Sequence, residues 1–200
     1  MLESDPLFPE LGEWIIREAV LGAKQMLNQY PDFVINVNLS YSQLERPDFV
    51  DTVLRILKEV GYPPEQLCLE VTERCRLLDM NLLKNVVAGL KARGIRIALD
   101  DFGTGFSSVG ILKEIPFDTI KIDRSFVMRI EESALDRKLI HNIADLASVF
   151  QAKICVEGIE TAGMRDILRT FHVGSFQGYY YAKPLPHEQL MAWKLKEETR

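Results

Sequence analysis

Short β-branched runs alternate with amphipathic segments along the whole chain. The runs predicted as strands are 33–40, 67–73, 96–102, 119–123, 153–159 and 175–181. The predicted helices are 9–29, 47–60 (ended by Gly61), 78–93, 107–113, 136–150, 161–170 and 186–196. Because parallel strands need crossover connections, this alternation predicts an α/β fold, either an open doubly wound sheet or a (β/α) barrel. No Gly-x-Gly-x-x-Gly pattern follows the first strand, so Rossmann-type dinucleotide binding has little support.

Composition predicts one domain over residues 1–200 and excludes several classes of function. The net charge of −5 argues against binding of bulk nucleic acid or of an anionic membrane, so an anionic substrate must be held locally. The three cysteines Cys68, Cys75 and Cys155 form no Cys-x-x-Cys pair, which predicts reduced packing residues in a cytoplasmic protein. We find no signal peptide and no apolar run of about 18 residues that would span a bilayer.

Polar residues gather at one end of the predicted strands. All six strands have a carboxylate, amide or lysine at or just after the carboxyl end: Asn38, Glu70, Asp100 with Asp101, Lys121 with Asp123, Glu157 with Glu160, and Gln177. In a barrel these ends meet on one face, which is where barrel enzymes have their active sites. Oxygen donors without histidine or thiol suit Mg²⁺ or Mn²⁺, so the pattern predicts a metal-dependent site.

Two adjacent carboxylates, Asp100 and Asp101, lie within the run IALDDFGTGFSS (97–108). Successive side chains of a strand point to opposite faces, so both aspartates reach one site only where the chain starts to turn. Their mutual repulsion is costly unless a cation or a proton lies between them. The glycines that follow allow close approach of a ligand or a positive φ. The alternative interpretation is a solvated turn that caps the next helix.

The blocks NVNLS, LEVTE, ALDDFGTGFSS, IKIDRSFV, VEGIET and QGYYYAKPL occur in this order along nearly the whole chain. In order and spacing they closely resemble the EAL family of cyclic di-GMP phosphodiesterases. The resemblance implies a (β/α)₈ TIM-barrel-like fold that linearises cyclic di-GMP to pGpG with two Mg²⁺ or Mn²⁺ ions. It also implies that Asn38, Glu70 and Asp100 bind one ion, and that Asp101 and Glu157 complete a second.

Further roles follow from the same resemblance. Lys121 is expected to position water or to offset phosphate charge, and a lysine beside several carboxylates stays protonated, so its role is electrostatic. Glu160 is expected to support Lys121 and the bound water, and Glu73 to hold the loop 102–108. Gln177, Phe102 and Asp123 are expected at the substrate, with stacking on guanine as one interpretation of the aromatic residues and core packing as the other.

The sequence departs from the family pattern at its beginning. The two strands expected before residue 1, with the Glu-Ala-Leu motif and its metal-binding glutamate, are absent, which leaves six strands and two unpaired sheet edges. We expect a truncated domain, a homodimer that pairs its edges, or a degenerate relative. Sensory or GGDEF domains upstream in a longer parent are common in this family. Besides hydrolysis, a module that binds cyclic di-GMP or a protein without turnover and a barrel enzyme acting on an enolate remain alternatives.

Overall fold

The computed structural model describes residues 8–73, 75, 79–104 and 109–193. Its strands are β1 (Ile35–Leu39), β2 (Leu67–Thr72), β3 (Arg96–Phe102), β4 (Thr119–Ile122), β5 (Lys153–Val156) and β6 (Ser175–Phe176). Its helices are α1 (Phe8–Met26), α2 (Tyr41–Leu44), α3 (Phe49–Val60), α4 (Met80–Lys91), α5 (Val109–Glu114), α6 (Ala134–Val149), α7 (Ala162–Leu168) and α8 (His187–Ala192). Short 3₁₀ turns occupy Pro64–Gln66 and Arg124–Phe126.

The six strands form one parallel sheet in the order β1-β2-β3-β4-β5-β6. Each strand therefore pairs with its neighbours in the chain, without the reversal of strand order that defines a doubly wound sheet. The sheet curls into a half-barrel with the helices outside, as the (β/α) barrel interpretation predicts. Within the described residues, β1 and β6 each pair on one side only.

The hydrophobic core lies between the convex face of the sheet and the helices. In β2, Leu67, Leu69 and Val71 alternate with Cys68 and Glu70, and the three apolar side chains belong to the core. The other strands direct a matching apolar row outward, which comprises Val37, Leu39, Ile97, Leu99, Ile120, Ile122, Ile154 and Val156. This row fixes the register, because a shift by one residue would turn every apolar side chain away from the helices.

The concave face of the sheet carries small and polar side chains. Asn36, Cys68, Glu70, Ala98, Thr119, Lys121 and Cys155 line a cavity of 280 Å³ inside the curl. Strand register explains the grouping, since Glu70 pairs with Ala98 and Ala98 with Thr119, and paired residues of parallel strands share a face. The concave face therefore places polar side chains, including Glu70 and Lys121, inside the curl of the sheet.

Two predicted strands are shorter in the structure. The predicted strand 153–159 ends at Val156, because Gly158 adopts a left-handed conformation at φ 74°. The predicted strand 175–181 ends at Phe176, since the backbone at Gly178 passes so close to Ile159 that a Cβ would overlap its carbonyl. The predicted helix starts at 78 and 107 lie outside the described residues. None of the helices in the described part of the chain combines the length and apolarity needed to cross a membrane.

Candidate metal centre at the carboxyl ends of the strands

The ammonium group of Lys121 lies at the centre of a carboxylate cluster. Its Nζ atom is 2.7 Å from Oε2 of Glu70, 3.1 Å from Oδ1 of Asp100 and 2.8 Å from Oε1 of Glu157. Glu70 lies on β2, Asp100 on β3 and Glu157 directly after β5. Lys121 lies on β4, so the carboxylates come from strands on both sides of it. Lys121 is 5% exposed and Glu70 4%, so the cluster is shielded from water at its base. The fold thus brings together four residues that the sequence predicts for the site.

An irregularity in β3 directs both adjacent aspartates to this cluster. The pairing of β3 with β4 shifts register between Leu99 and Phe102, which is the position of Asp100 and Asp101. Asp101 has a φ of 55°, a left-handed conformation that aspartate tolerates better than most residues. A bulge of this kind redirects a side chain within a strand. The pair therefore converges inside β3, whereas the sequence predicts convergence where the strand ends.

One carboxylate oxygen from each of Asp100, Asp101 and Glu157 lies within 4.8 Å of the other two, close enough to share a metal ion. Asn38 is paired with Glu70 in the register of β1 and β2, which gives these two side chains the same face of the sheet. The buried oxygen Oε1 of Glu70 lacks a hydrogen-bond partner, and the contact of Oδ1 of Asp100 is its ion pair with Lys121. Because unpaired buried oxygens are costly and hard divalent cations prefer such ligands, the residues fit Mg²⁺ or Mn²⁺.

The pKa values of the cluster reflect burial and crowding of negative charge. Burial raises the pKa of Glu70, and the hydrogen bond from Lys121 offsets only part of that rise. Burial and the neighbouring carboxylates of Asp100 and Asp123 likewise raise the pKa of Asp101. Burial lowers the pKa of Lys121, but its hydrogen bonds to Glu157 and Glu70 outweigh burial and raise it above the ordinary value. Lys121 is therefore a fixed cation, but its single positive charge offsets only part of the negative charge of the carboxylates around it.

Glu73 contacts the loop that follows the two aspartates. Its Oε1 atom accepts a hydrogen bond of 3.2 Å from the backbone N–H of Gly103. Glu73 is buried, and its other carboxylate oxygen has no hydrogen-bond partner. This contact lies at the start of the loop 102–108, which Glu73 is predicted to hold in place. Residues 105–108 of that loop lie outside the described residues.

The remaining predicted site residues have different surroundings. Phe102 is 4% exposed and belongs to the hydrophobic core, and its contact with a ligand stays a prediction. Asp123 caps the 3₁₀ turn after β4, where its Oδ1 accepts a hydrogen bond of 2.9 Å from the N–H of Ser125. Glu160 and Gln177 are exposed in the segments after β5 and β6.

Sequence reasoning misses one residue beside the site. The ring of Phe126, in the 3₁₀ turn after β4, lies directly against Gly103, where a Cβ would overlap it. Asp123 at the capping position, followed two residues later by Ser125, is the signal in the sequence for this turn. Nothing in the sequence pattern shows which glycine the ring covers, because Phe126 and Gly103 follow different strands.

Comparison with known families identifies the fold. The EAL domain family matches residues 1–184, which include every element from α1 to β6 and all of the site residues. This chain belongs to the EAL domain family. The match confirms the resemblance carried by the sequence blocks, and the EAL domain provides the frame for the strand-end cluster described above.

The regions of known proteins that match this EAL domain belong to longer chains. The bifunctional diguanylate cyclase/cyclic di-GMP phosphodiesterase MucR of Pseudomonas aeruginosa is 34% identical over 193 residues, 96% of this chain and 28% of MucR. An uncharacterized protein of Synechocystis sp. is 37% identical over 194 residues, again 96% of this chain and 28% of the relative. This chain therefore spans less than a third of the length of these curated relatives.

Solved EAL structures share the half-barrel. The PaMucR phosphodiesterase in complex with c-di-GMP gives a TM-score of 0.84 at 34% identity, over 92% of this chain and 75% of that chain. Klebsiella pneumoniae BlrP1 in a manganese/cy-diGMP complex gives a TM-score of 0.82 at 25% identity, over 90% of this chain and 46% of that chain. The six-stranded sheet is therefore part of a TIM-barrel-like EAL fold, as the sequence predicts.

Proposed function

We propose that this EAL domain is a cytoplasmic phosphodiesterase that hydrolyses one phosphodiester bond of cyclic di-GMP to give linear pGpG, with two Mg²⁺ or Mn²⁺ ions. Two similar proteins support this substrate: MucR is a cyclic di-GMP phosphodiesterase, and BlrP1 has been solved with manganese and cyclic di-GMP. We further propose that the domain is part of a longer signalling protein, as the matching region is part of MucR.

One observation carries the proposal: the cluster contains more negative charge than its own residues neutralise. Glu70, Asp100, Asp101 and Glu157 converge, and the ammonium of Lys121 is the positive group that the structure describes among them. Carboxylates crowded at such short separations, two of them on buried residues, repel one another and destabilise the fold unless cations offset their charge. Divalent ions would supply that charge and would also attract the anionic phosphates of the substrate.

We assign Asn38, Glu70 and Asp100 to one ion, and Asp101 and Glu157 to the second. When bound, such ions activate water as a nucleophile and stabilise charge on the phosphoryl group. The chain contributes the fixed geometry: strand pairing and the β3 bulge set the carboxylate positions before substrate arrives.

Lys121 contributes a permanent positive charge beside the reacting phosphate. Its raised pKa excludes it as a general base near neutral pH, which agrees with an electrostatic role. We propose that Glu160 and Gln177, both exposed after the neighbouring strands, contact the water network or the nucleotide. Asp123 acts through the turn that it caps and through the charge that it places near Asp101.

A second function has one observation in its favour. Lys121 already makes close contacts with three carboxylates, so the site is partly neutralised by the chain itself. An EAL domain with this arrangement can bind cyclic di-GMP, or a protein partner, as an effector without hydrolysing it. Hydrolysis converts the bound cyclic di-GMP to pGpG, whereas the effector function leaves it unchanged.

The test is incubation of the purified chain with Mn²⁺ and cyclic di-GMP, followed by chromatography for pGpG. We expect pGpG to form, Glu70→Ala and Asp101→Asn to abolish it, and Asp51→Asn, an exposed acid on α3, to leave it unchanged. Thermal unfolding of each variant verifies that it is folded. Binding of cyclic di-GMP without pGpG would contradict hydrolysis and support the effector function.

A further inference from the structure

The 3₁₀ turn Arg124–Phe126 lies between the loops that follow β3 and β5, each of which adjoins a metal-site carboxylate. It follows β4, whose neighbours in the sheet are β3 and β5. Asp101 lies within β3, one residue before its end at Phe102, and Glu157 is the first residue after β5. Because β4 is the strand between them, its following turn can touch both loops at once.

On the β3 side, the turn packs against Gly103. This glycine has a φ of 98°, and a Cβ built on it would overlap the ring of Phe126. Gly103 is two residues after Asp101, which is itself left-handed. Glu73 holds the N–H of Gly103. The backbone next to Asp101 is therefore fixed by a carboxylate hydrogen bond and by the aromatic ring of Phe126.

On the β5 side, the same turn packs against Gly158. This glycine directly follows Glu157, has a φ of 74°, and leaves no room for a Cβ because Arg124 presents its own Cβ there. The N–H of Glu157 donates a hydrogen bond of 3.0 Å to the carbonyl of Ile122, just before the turn. The backbone that carries Glu157 is thus bounded by β4 and by Arg124.

We infer that the turn Arg124–Phe126 is a brace that sets the separation of Asp101 and Glu157 by contacting a left-handed glycine beside each. This inference rests on the proposed function and adds Phe126 and Arg124 to it as positioning residues. Neither residue is assigned a contact with metal or substrate. A steric overlap at either glycine would shift the backbone and displace the neighbouring carboxylate. Residues that orient metal ligands typically change metal affinity by about 10- to 100-fold when they are altered.

The chain provides a matched control for the glycine contacts. Gly94 has a φ of 85°, similar to Gly103 and Gly158, but the nearest atom to a Cβ at Gly94 is 3.8 Å away. Gly94→Ala therefore carries the backbone strain of a left-handed alanine without a steric overlap. Gly103→Ala and Gly158→Ala carry the same strain together with the overlap on the brace.

The experiment measures Mn²⁺ binding by calorimetry and unfolding midpoints for these variants. We expect Gly103→Ala and Gly158→Ala to weaken Mn²⁺ binding by about tenfold or more, and Gly94→Ala to leave it unchanged. Phe126→Ala should also weaken binding, Phe126→Leu should restore most of it, and Phe171→Ala, a partly buried ring elsewhere, should have no effect. Equal Mn²⁺ affinity across all variants would overturn the brace.

A second readout separates this inference from the proposed function. If the wild-type chain binds no Mn²⁺, the metal-dependent hydrolase fails, and the brace is then decided in the metal-free protein. Carboxyl ¹³C resonances of labelled aspartate report the surroundings of Asp100 and Asp101. We expect them to shift in Gly103→Ala and Phe126→Ala but not in Gly94→Ala or Phe171→Ala, and unshifted resonances in all four would overturn the brace.

Discussion

Lys121 and Glu70 form a buried ion pair of 2.7 Å that crosses above β3, because the two residues lie on β4 and β2. The strand between them contributes Ala98 at this level, in register with Glu70 on one side and with Thr119 on the other. A methyl side chain leaves the space in which a long lysine and a glutamate meet. The small size of Ala98 therefore helps to accommodate the ion pair.

Replacement of Lys121 by methionine should destabilise the metal-free protein. The change leaves Glu70, Asp100 and Glu157 buried without their common cation, and breaking a buried pair in this way typically costs about 3–5 kcal/mol. Urea unfolding without metal measures the loss, with the exposed Lys113→Met on α5 as the control. A loss equal to that of the control would show that the ammonium does not stabilise the cluster.

Replacement of Ala98 by valine should separate the ion pair. The larger side chain enters the space between Glu70 and Lys121, and overpacking of this kind typically costs about 1–3 kcal/mol. Mn²⁺ affinity should fall with stability, whereas Ala88→Val on the exposed face of α4 should change neither strongly. Unfolding in urea and Mn²⁺ calorimetry provide the two measurements. Unchanged Mn²⁺ affinity in Ala98→Val would show that the cluster does not need a small side chain at position 98.

Stabilisation by Mn²⁺ should be greater at neutral than at acidic pH. The pKa values of Glu70 and Asp101 are raised in the folded, metal-free protein, mainly by burial. The stability contributed by their neutral forms is complete below the unfolded-state pKa of about 4 and is lost as pH rises through the raised folded-state pKa. Mn²⁺ restores that stability only where the carboxylates are ionised, and protons compete with it at low pH.

Unfolding midpoints with and without Mn²⁺, recorded from acidic to neutral pH, test this dependence. The increase caused by Mn²⁺ should grow with pH, and Asp101→Asn should reduce it at neutral pH. An increase independent of pH would argue that Mn²⁺ binds elsewhere.

Truncation of Glu73 should lower turnover more than the amide substitution does. Glu73→Gln keeps an oxygen that can accept the 3.2 Å hydrogen bond from Gly103, whereas Glu73→Ala removes it. Loss of a residue that orients metal ligands typically costs about 10- to 100-fold in activity. Rates of pGpG formation for the two variants, normalised to folded protein, provide the comparison. Equal rates would mean that the hydrogen bond does not influence Asp101.

The native protein should contain no rapidly reacting thiol. Burial raises the pKa of Cys68 to about 12 and that of Cys75 to about 11, and it also raises the pKa of Cys155. Since the thiolate is the reactive form, Ellman's reagent at mildly alkaline pH should react slowly with the folded protein and completely in urea. Ser148→Cys, at an exposed position of α6, should add one fast thiol as a positive control.

Much of the architecture could be predicted from the sequence. All six strands and the parallel arrangement follow from β-branched runs that alternate with helical periods, and Gly61 ends α3 as predicted, in a left-handed conformation. The overprediction of β6 has a tertiary cause: SFQGYYY has strong strand propensity, but after Phe176 the backbone passes close to Ile159. Contacts with the segment after β5 decide that boundary, and a local pattern does not contain them.

The candidate site was predictable in composition but not in geometry. Glu70, Asp100, Lys121 and Glu157 converge because each follows an apolar run at the same end of a parallel sheet. The bulge that turns Asp101 into the same space depends on the pairing of β3 with β4, which a single run of residues does not specify. The metal-binding, catalytic and substrate-binding roles of these residues, and those of Asn38, Glu160 and Gln177, remain predictions.

Neighbour-by-neighbour strand order has a consequence for local opening of the molecule. The donors in the cluster come from several strands, Glu70 from β2, Asp100 and Asp101 from β3 and Glu157 from the end of β5, so detachment of β2 or β5 from the sheet disperses them. A bound cation would therefore link these strands into one cooperative unit and raise the free energy of every fluctuation that separates them. The slowest amide hydrogen exchange should then extend across β2 to β5 together, rather than being confined to the central strands.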